Sequence, residues 1–482
     1  MTAADSTLPL PAIASLVEAL GADNVSTDLS DRLANARGVW PVELKTMRRA
    51  ITGTGSANLP LPGCVVWPTD TEAVSAVLRV AQQWRIPVVP FGGGSGIVGG
   101  TAARSGCISL DTKRLARLRV DPVSLVARAQ AGIVGADLER RLNELGYSLG
   151  HFPQSLHSGT VGGWVATRAS GTFSTLHGNI EDRVVGLEVV LPGGEVLRTR
   201  PSPRSATGPN LAELFIGSEG GLGVVTEVAL WVHPLATHRI WASYAFPSFV
   251  AGLDAVRAFV QGGARPGVVR LYDAGETAHK FPDAGLPSGA NLLVLVYEGA
   301  PELVAAHEAV AHRSCLAIGG TAIGSDPAHH WWRTRFDTRG LVLANSRDGG
   351  IADAIEVAGL WDDLPTIYAA MMRVAEHHGA RAYAHVSHVY PSGGGLYVIF
   401  SIQDTDDGAA VDSYQRLVGD LLVACHEAGG SISHHHGIGR GKAHLLPLEH
   451  GAAGTAVLRA IKRAVDPEAL LNPGALGLGA EV

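Results

Sequence analysis

Between Pro90 and Thr226 the chain carries three loops rich in glycine and small hydroxyl residues. They are Pro90-Phe91-Gly92-Gly93-Gly94-Ser95-Gly96, Pro153-Gln154-Ser155-Leu156-His157-Ser158-Gly159-Thr160-Val161-Gly162-Gly163, and the run from Gly217 to Thr226. Adjacent glycines expose successive backbone N–H groups with no Cβ in the way, which suits a phosphate. The first loop follows the apolar run Val88-Val89, but it matches neither the G-x-G-x-x-G of a dinucleotide-binding strand–helix turn nor a P-loop. Any one loop could be a plain turn. Three together favour one large dinucleotide-like ligand, with Pro90, Gly92, Gly93, Gly94, Ser95, Gly96, Ser155, Thr160 and Gly163 as its first candidates, and with Thr167-Arg168-Ala169-Ser170-Gly171 and Gly178-Asn179-Ile180-Glu181-Asp182 extending the second loop.

The surrounding pattern alternates short β-rich runs with amphipathic helices, which predicts an α+β chain. At 482 residues it is too long for one ordinary core. Residues 1–57 read as an N-terminal helical lead ending at Gly53-Thr54-Gly55-Ser56. Residues 58–236 read as a ligand-binding domain, 237–423 as a second α+β domain capping it, and 424–482 as a C-terminal segment that returns to the first. A formal net charge of -7 without a Lys/Arg run excludes the electrostatic footprint of a nucleic-acid binder. The four cysteines lie far apart with no C-x-x-C pair, as expected of reduced thiols. No uncharged apolar run reaches membrane-spanning length, Met1–Leu20 has no basic n-region, and Ala480-Glu481-Val482 is no peroxisomal signal. A cytoplasmic protein is expected.

His434-His435-His436-Gly437-Ile438-Gly439 is the sharpest chemical feature, because three adjacent imidazoles are costly to bury unless they hydrogen-bond or exchange protons. A base or substrate clamp fits; a metal site or an exposed polar loop are the competing readings. Strand alternation would put His388 and Tyr390 on one face, in a stretch that also holds His385. Arg270 interrupts the apolar run Val268–Leu271, and a buried guanidinium calls for an anion, either the nearby Asp273 or a substrate. Arg347 is a second candidate clamp, with a local pair to Asp348 as its bland alternative.

Gly150-His151-Phe152-Pro153, Ser158–Val165, Thr167–Gly171, Gly178–Asp182, Gly217–Gly220 and the triple histidine, in this order, resemble the vanillyl-alcohol oxidase/p-cresol methylhydroxylase-type FAD-binding family, and within it the alkyldihydroxyacetonephosphate (alkylglycerone-phosphate) synthase branch. The resemblance implies a two-subdomain FAD-binding domain plus a cap. It places Gly92 through Ser95, Thr160, Gly163, Ser170, Glu219 and Val225 around FAD, with Ser155, Gly96 and Thr167 on the same loops. No His falls within Pro90 to Gly100, so FAD is expected to be non-covalent. Tyr390 and His434, His435 and His436 would handle protons. Arg347, Arg270, His151 and His388 would serve a small anionic, possibly phosphorylated, substrate. In the synthases flavin N5 attacks an acylated ketone-phosphate, a fatty acid leaves and a fatty alcohol replaces it, with no net redox change. The rival expectation is an oxidase or dehydrogenase of a 2-hydroxy acid or alcohol, with hydride passing to N5. No metal, nucleic acid or membrane span is expected, and a homodimer is allowed for.

Overall fold

A computed structural model of the chain describes residues 8–54 and 59–479. Three sheets organise it. In the first, β2 (Cys64–Val66), β3 (Val88–Phe91) and β4 (Ile108–Asp111) run parallel in the order β2-β4-β3, with β1 (Val25–Ser26) antiparallel at the edge. The helix Thr71–Trp84 makes the crossover from β2 to β3. Asp70 caps it by accepting from Ala73 N at 2.8 Å. Its buried Val74, Val77, Leu78 and Ala81 recur at helical spacing against the sheet. The predicted N-terminal helix is present as Leu10–Leu20 and buries Ala12 and Leu16 in the same core. Of the turn expected at Gly53–Ser56, Gly55 and Ser56 lie outside the described residues.

The second sheet holds β5 (Leu118–Asp121), β6 (Val126–Gln130), β8 (Val184–Val190), β9 (Val196–Arg198) and β10 (Val224–Trp231), in the order β5-β6-β10-β8-β9, all antiparallel. Beside it β7 (Tyr147–Ser148) pairs with β11 (His233–Pro234). The β8–β9 hairpin turns at Gly194, whose φ of +90° favours glycine.

Seven strands form the third sheet: β12 (His238–Phe246), β13 (Val268–Tyr272), β14 (Asn291–Gly299), β15 (Thr321–Ala322), β16 (Gly350–Leu360), β17 (Arg381–Val389) and β18 (Gly393–Gln403), in the order β15-β12-β14-β13-β17-β18-β16. Strand alternation explains why β14 is buried on both faces. Leu293, Leu295 and Tyr297 pack under the helices of the large core, while Leu292, Val294 and Val296 pack with Phe173 from the glycine-loop side of the chain. The third sheet therefore packs on Phe173 and the helix Ser174–His177, just past the second glycine loop.

After the helix Asp407–Glu427 the chain bridges Ser431 to Ala358 on β16, makes the histidine loop, and returns so that Leu471 pairs with Val88 on β3. Among the described residues no helix is long and apolar enough to cross a membrane.

Ser387 pairs with Gly395 and Val389 with Gly394, so His388 is an extra residue in β17, at a φ of +55°. Val389 enters the large core, while His388 and Tyr390 on either side of it both lie against His434, with ring centres 5.4 and 5.7 Å from it.

Candidate active site

The first two glycine loops touch backbone to backbone. A Cβ on Gly92 would overlap the Thr160 hydroxyl, and one on Gly93 would overlap the Ser158 carbonyl oxygen and lie 2.6 Å from its carbonyl carbon. Gly94 sits at φ +61°. Ser95 and Gly96 continue the loop half-buried, with open space around Gly96. Thr160 caps the helix Val161–Thr167 by accepting from Gly163 N at 3.3 Å, Thr167 donates to Gly163 O at 3.0 Å, and Trp164 Nε1 donates to Ser155 Oγ at 3.3 Å. The third loop closes on the first, since a Cβ on Gly220 would meet Pro90 at 3.0 Å. The three predicted loops therefore meet in one glycine-rich cradle, tightest at Gly93, where an added side chain would displace main chain. That suits the extended diphosphate of a dinucleotide cofactor.

Two residues of the third loop are turned elsewhere. The Val225 side chain is buried in the core opposite Val189. The Glu219 carboxylate accepts from Ile438 N at 2.7 Å and Gly439 N at 3.0 Å, so it fastens the histidine loop onto the cradle.

That loop is held a second time from the cap. Glu356, wholly buried on β16, accepts the backbone N–H of His434, of His435 at 3.2 Å and of His436 at 2.6 Å, plus the Ser433 hydroxyl at 2.9 Å. Lys442 Nζ lies 3.9 Å away. One carboxylate thus aligns three consecutive residues, whose side chains lie among Tyr390, Tyr397 and His388. Tyr390 Oη is 2.8 Å from His434 Nε2 and 2.8 Å from the amide nitrogen of Asn179, whose oxygen accepts from Ser170 at 2.6 Å. Ser170, read as a cofactor contact, is bound into this tyrosine network.

Arg270 is half-buried and donates to His385 Nε2 at 2.9 Å, not to Asp273, which instead caps the helix Ala274–Lys280. His385 then donates its Nδ1–H to Glu276 at 2.8 Å. With Arg270 Nε lacking a protein partner, one edge of the guanidinium is free for an anion. His388 lies buried between Ser174 and Tyr397. His151 is sealed edge-on against Trp164, 4.8 Å between ring centres. Arg347 is not part of this cluster: it is exposed at the end of the helix Arg339–Ser346, and its carbonyl accepts from Lys45. Its expected partner Asp348 pairs instead with Arg48 at 3.3 Å. Glu356, Tyr397, Glu276 and Asn179 were not among the residues singled out by charge or spacing. Among the described residues no group of three or more His, Cys, Asp or Glu is arranged to hold a metal ion.

Burial pushes the imidazoles down: His151 to about 3, and His233, His385 and His436 to about 4, with nearby positive charge adding to the effect. A base with a depressed folded pKa binds its proton more readily when unfolded. The unfolded chain then takes up protons below about pH 6.5 while the folded one does not, so stability falls as pH drops from there toward 4. At pH 5 each of these four costs about 2 kcal/mol relative to neutral pH, enough together to rival the stability of a typical domain. Thermal melts between pH 7 and 5 are expected to show a steady fall of Tm ending in acid unfolding; a Tm flat to pH 5 would contradict the neutral, buried assignment.

A family model described as an FAD binding domain matches residues 62–200, and one described as FAD linked oxidases, C-terminal domain, matches residues 235–476. The chain is 31% identical over 447 residues to alkyldihydroxyacetonephosphate synthase of Caenorhabditis elegans, covering 84% of this chain and 74% of that protein. It is 31% identical over 480 residues to an uncharacterized FAD-linked oxidoreductase of Escherichia coli (strain K12), covering 96% and 97%. A solved structure of alkyldihydroxyacetonephosphate synthase superposes with a TM-score of 0.81 at 26% identity, covering 97% of this chain and 86% of that one.

Proposed function

The chain belongs to the FAD-linked oxidases of the vanillyl-alcohol oxidase/p-cresol methylhydroxylase type and is an FAD-dependent enzyme, and from that premise we propose redox-neutral, synthase-type exchange on a small anionic substrate. When bound, FAD supplies the reactive N5 edge of its ring system. The chain's own residues do the rest. Gly92 through Gly96, with Thr160 and Gly163, hold the diphosphate against bare backbone. The free edge of Arg270 receives the anionic end of the substrate. Tyr390 exchanges protons with the substrate, and His434 exchanges them with Tyr390. No histidine lies between Pro90 and Gly100, so the cofactor is held without a covalent bond from that loop.

The observation that carries this reading is the 2.8 Å contact between Tyr390 and His434. Burial lowers the His434 pKa, so the imidazole is neutral and able to accept a proton. A second reading, oxidation of a 2-hydroxy acid or alcohol, takes its support from the likeness to the Escherichia coli oxidoreductase. An anaerobic visible spectrum of the holoenzyme separates the two. The synthase reading expects carboxylic acid released from an acylated dihydroxyacetone phosphate when a fatty alcohol is added, with the oxidised flavin spectrum restored once turnover is complete. Bleaching by a 2-hydroxy acid or alcohol, with no acid release, would replace it by the oxidoreductase.

A further inference from the structure

Six side chains form one unbroken line of hydrogen bonds through the cap. Tyr390 Oη meets His434 Nε2 at 2.8 Å, His434 Nδ1 meets His435 Nδ1 at 2.8 Å, His435 Nε2 meets Tyr397 Oη at 2.9 Å, Tyr397 Oη meets His388 Nε2 at 3.1 Å, and His388 Nδ1 meets Ser174 Oγ at 2.8 Å. Each neutral imidazole has one N–H and one bare nitrogen, so each ring in the line must accept on one side and donate on the other. The Nδ1–Nδ1 contact is the decisive link, because it requires one histidine of the pair to be the Nδ1–H tautomer and its neighbour the Nε2–H tautomer. His434 and His435 must therefore hold opposite tautomers, and where the Tyr397 hydroxyl accepts from one ring and donates to the other, His388 shares the tautomer of His434.

The direction is set at the Tyr390 end. The Asn179 oxygen accepts from Ser170, so its amide donates to Tyr390 Oη and leaves the tyrosine's own proton available to His434, the direction assigned to the line. That makes His434 and His388 Nδ1–H and His435 Nε2–H, and leaves one lone pair of Tyr390 free for the substrate.

We propose that this line is a polarised proton relay, in which Tyr397, His388 and Ser174 are positioning residues that keep Tyr390 ready to take a proton. The proposal rests on Tyr390 being the proton-exchanging group. A proton leaving the substrate bonds to Tyr390 Oη. The tyrosine's proton moves to His434 Nε2, the His434 Nδ1 proton to His435 Nδ1, the His435 Nε2 proton to Tyr397 Oη, and the Tyr397 proton to His388 Nε2. Every group but the last is neutral before and after, and His388 ends as an imidazolium that still donates to Ser174. His388 is faced by Arg270, His385, His434, His435 and Tyr397, so the positive charge is poorly held there and the proton returns along the same line. Such a loan suits an exchange in which an alcohol gives up a proton and the departing acid receives one. The bulge at His388 is the structural device that brings this ring into line with Tyr397.

The test needs no substrate, so it is independent of which reaction the enzyme performs. Holoenzyme labelled with ¹⁵N at histidine is examined by two-bond proton–nitrogen NMR, which distinguishes protonated from bare ring nitrogens. The wild type is expected to show Nδ1–H, Nε2–H and Nδ1–H at His434, His435 and His388. In Asn179→Asp, with retained flavin absorbance confirming the fold, the anchor becomes an acceptor, and all three tautomers are expected to invert. Adding Tyr397→Phe should cut the line, so that His434 and His435 invert and His388 does not. A wild type lacking the alternation, or inversion at His434 that never reaches His388 while Tyr397 is present, would overturn the relay.

Discussion

Replacing Gly93 by alanine is expected to yield a folded but colourless protein, with bound FAD reduced by at least about tenfold, a loss of about 1.4 kcal/mol or more in binding. The added Cβ would overlap the Ser158 carbonyl oxygen and sit 2.6 Å from its carbonyl carbon. Neither neighbour is the flexible end of a side chain, so the Gly92–Gly96 and Ser158–Thr160 loops must separate. Both walls of the diphosphate cradle move at once. Thermal melts of the wild-type and Gly93→Ala apoproteins separate loss of cofactor from loss of fold. If Gly93→Ala retained full flavin absorbance, the cradle would not be the diphosphate site.

The cradle was legible because its signal is compositional and local: only glycine tolerates backbone against backbone, and no partner needs to be known. The two-faced burial of β14 was half legible, since Leu292–Tyr297 reads as an unbroken apolar run without saying what covers each face. The residues that complete the histidine site were less accessible. Glu356 interrupts the apolar pair Ile355 and Val357 just as Arg270 interrupts its own strand, so its burial could have been read; that it receives three consecutive amides from a loop far along the chain could not. Arg270 and Arg347 carry the same charge signal, and only tertiary structure puts the first beside His385 and the second in solvent. Strand periodicity put His388 and Tyr390 on one side, where both meet His434, but the one-residue bulge at His388 leaves no trace in the sequence. Glu219 looked like a cofactor contact from its loop, yet its carboxylate joins that loop to the chain's C-terminal return.

Glu356→Ala should be the most damaging single change outside the cradle. Burial alone would push this carboxyl up, but His436, Lys442 and the loop amides hold it below the ordinary range, so it is ionised and fully engaged at neutral pH. Removing it strands three backbone N–H groups and takes the facing carboxylate from the buried Lys442 ammonium, while Ser433 and Lys442 keep only the carbonyls of Gly437 and Ile432, each at 3.2 Å. Breaking a buried charged network from one side costs roughly 3–5 kcal/mol. The loop that places His434 against Tyr390 loses its template, and turnover should fall by about 10³-fold, the combined scale of lost positioning and lost acid–base catalysis. Glu356→Gln retains one acceptor oxygen but turns an NH₂ toward two amide donors, so it should be intermediate. A group whose folded pKa is depressed gives stability above its unfolded value, here 4.5, and loses it as pH falls further. The stability gap between wild type and Glu356→Gln should therefore be full at pH 7 and narrow below about 4.5. Asp353, three residues earlier on the same strand, is the internal comparison. It accepts from Tyr414 at 2.7 Å, which an asparagine oxygen can also do, and burial raises its pKa to about 6. Asp353→Asn should be nearly silent in both assays; equal damage from Asp353→Asn and Glu356→Gln would mean that the strand, not the carboxylate on the histidine loop, is what matters.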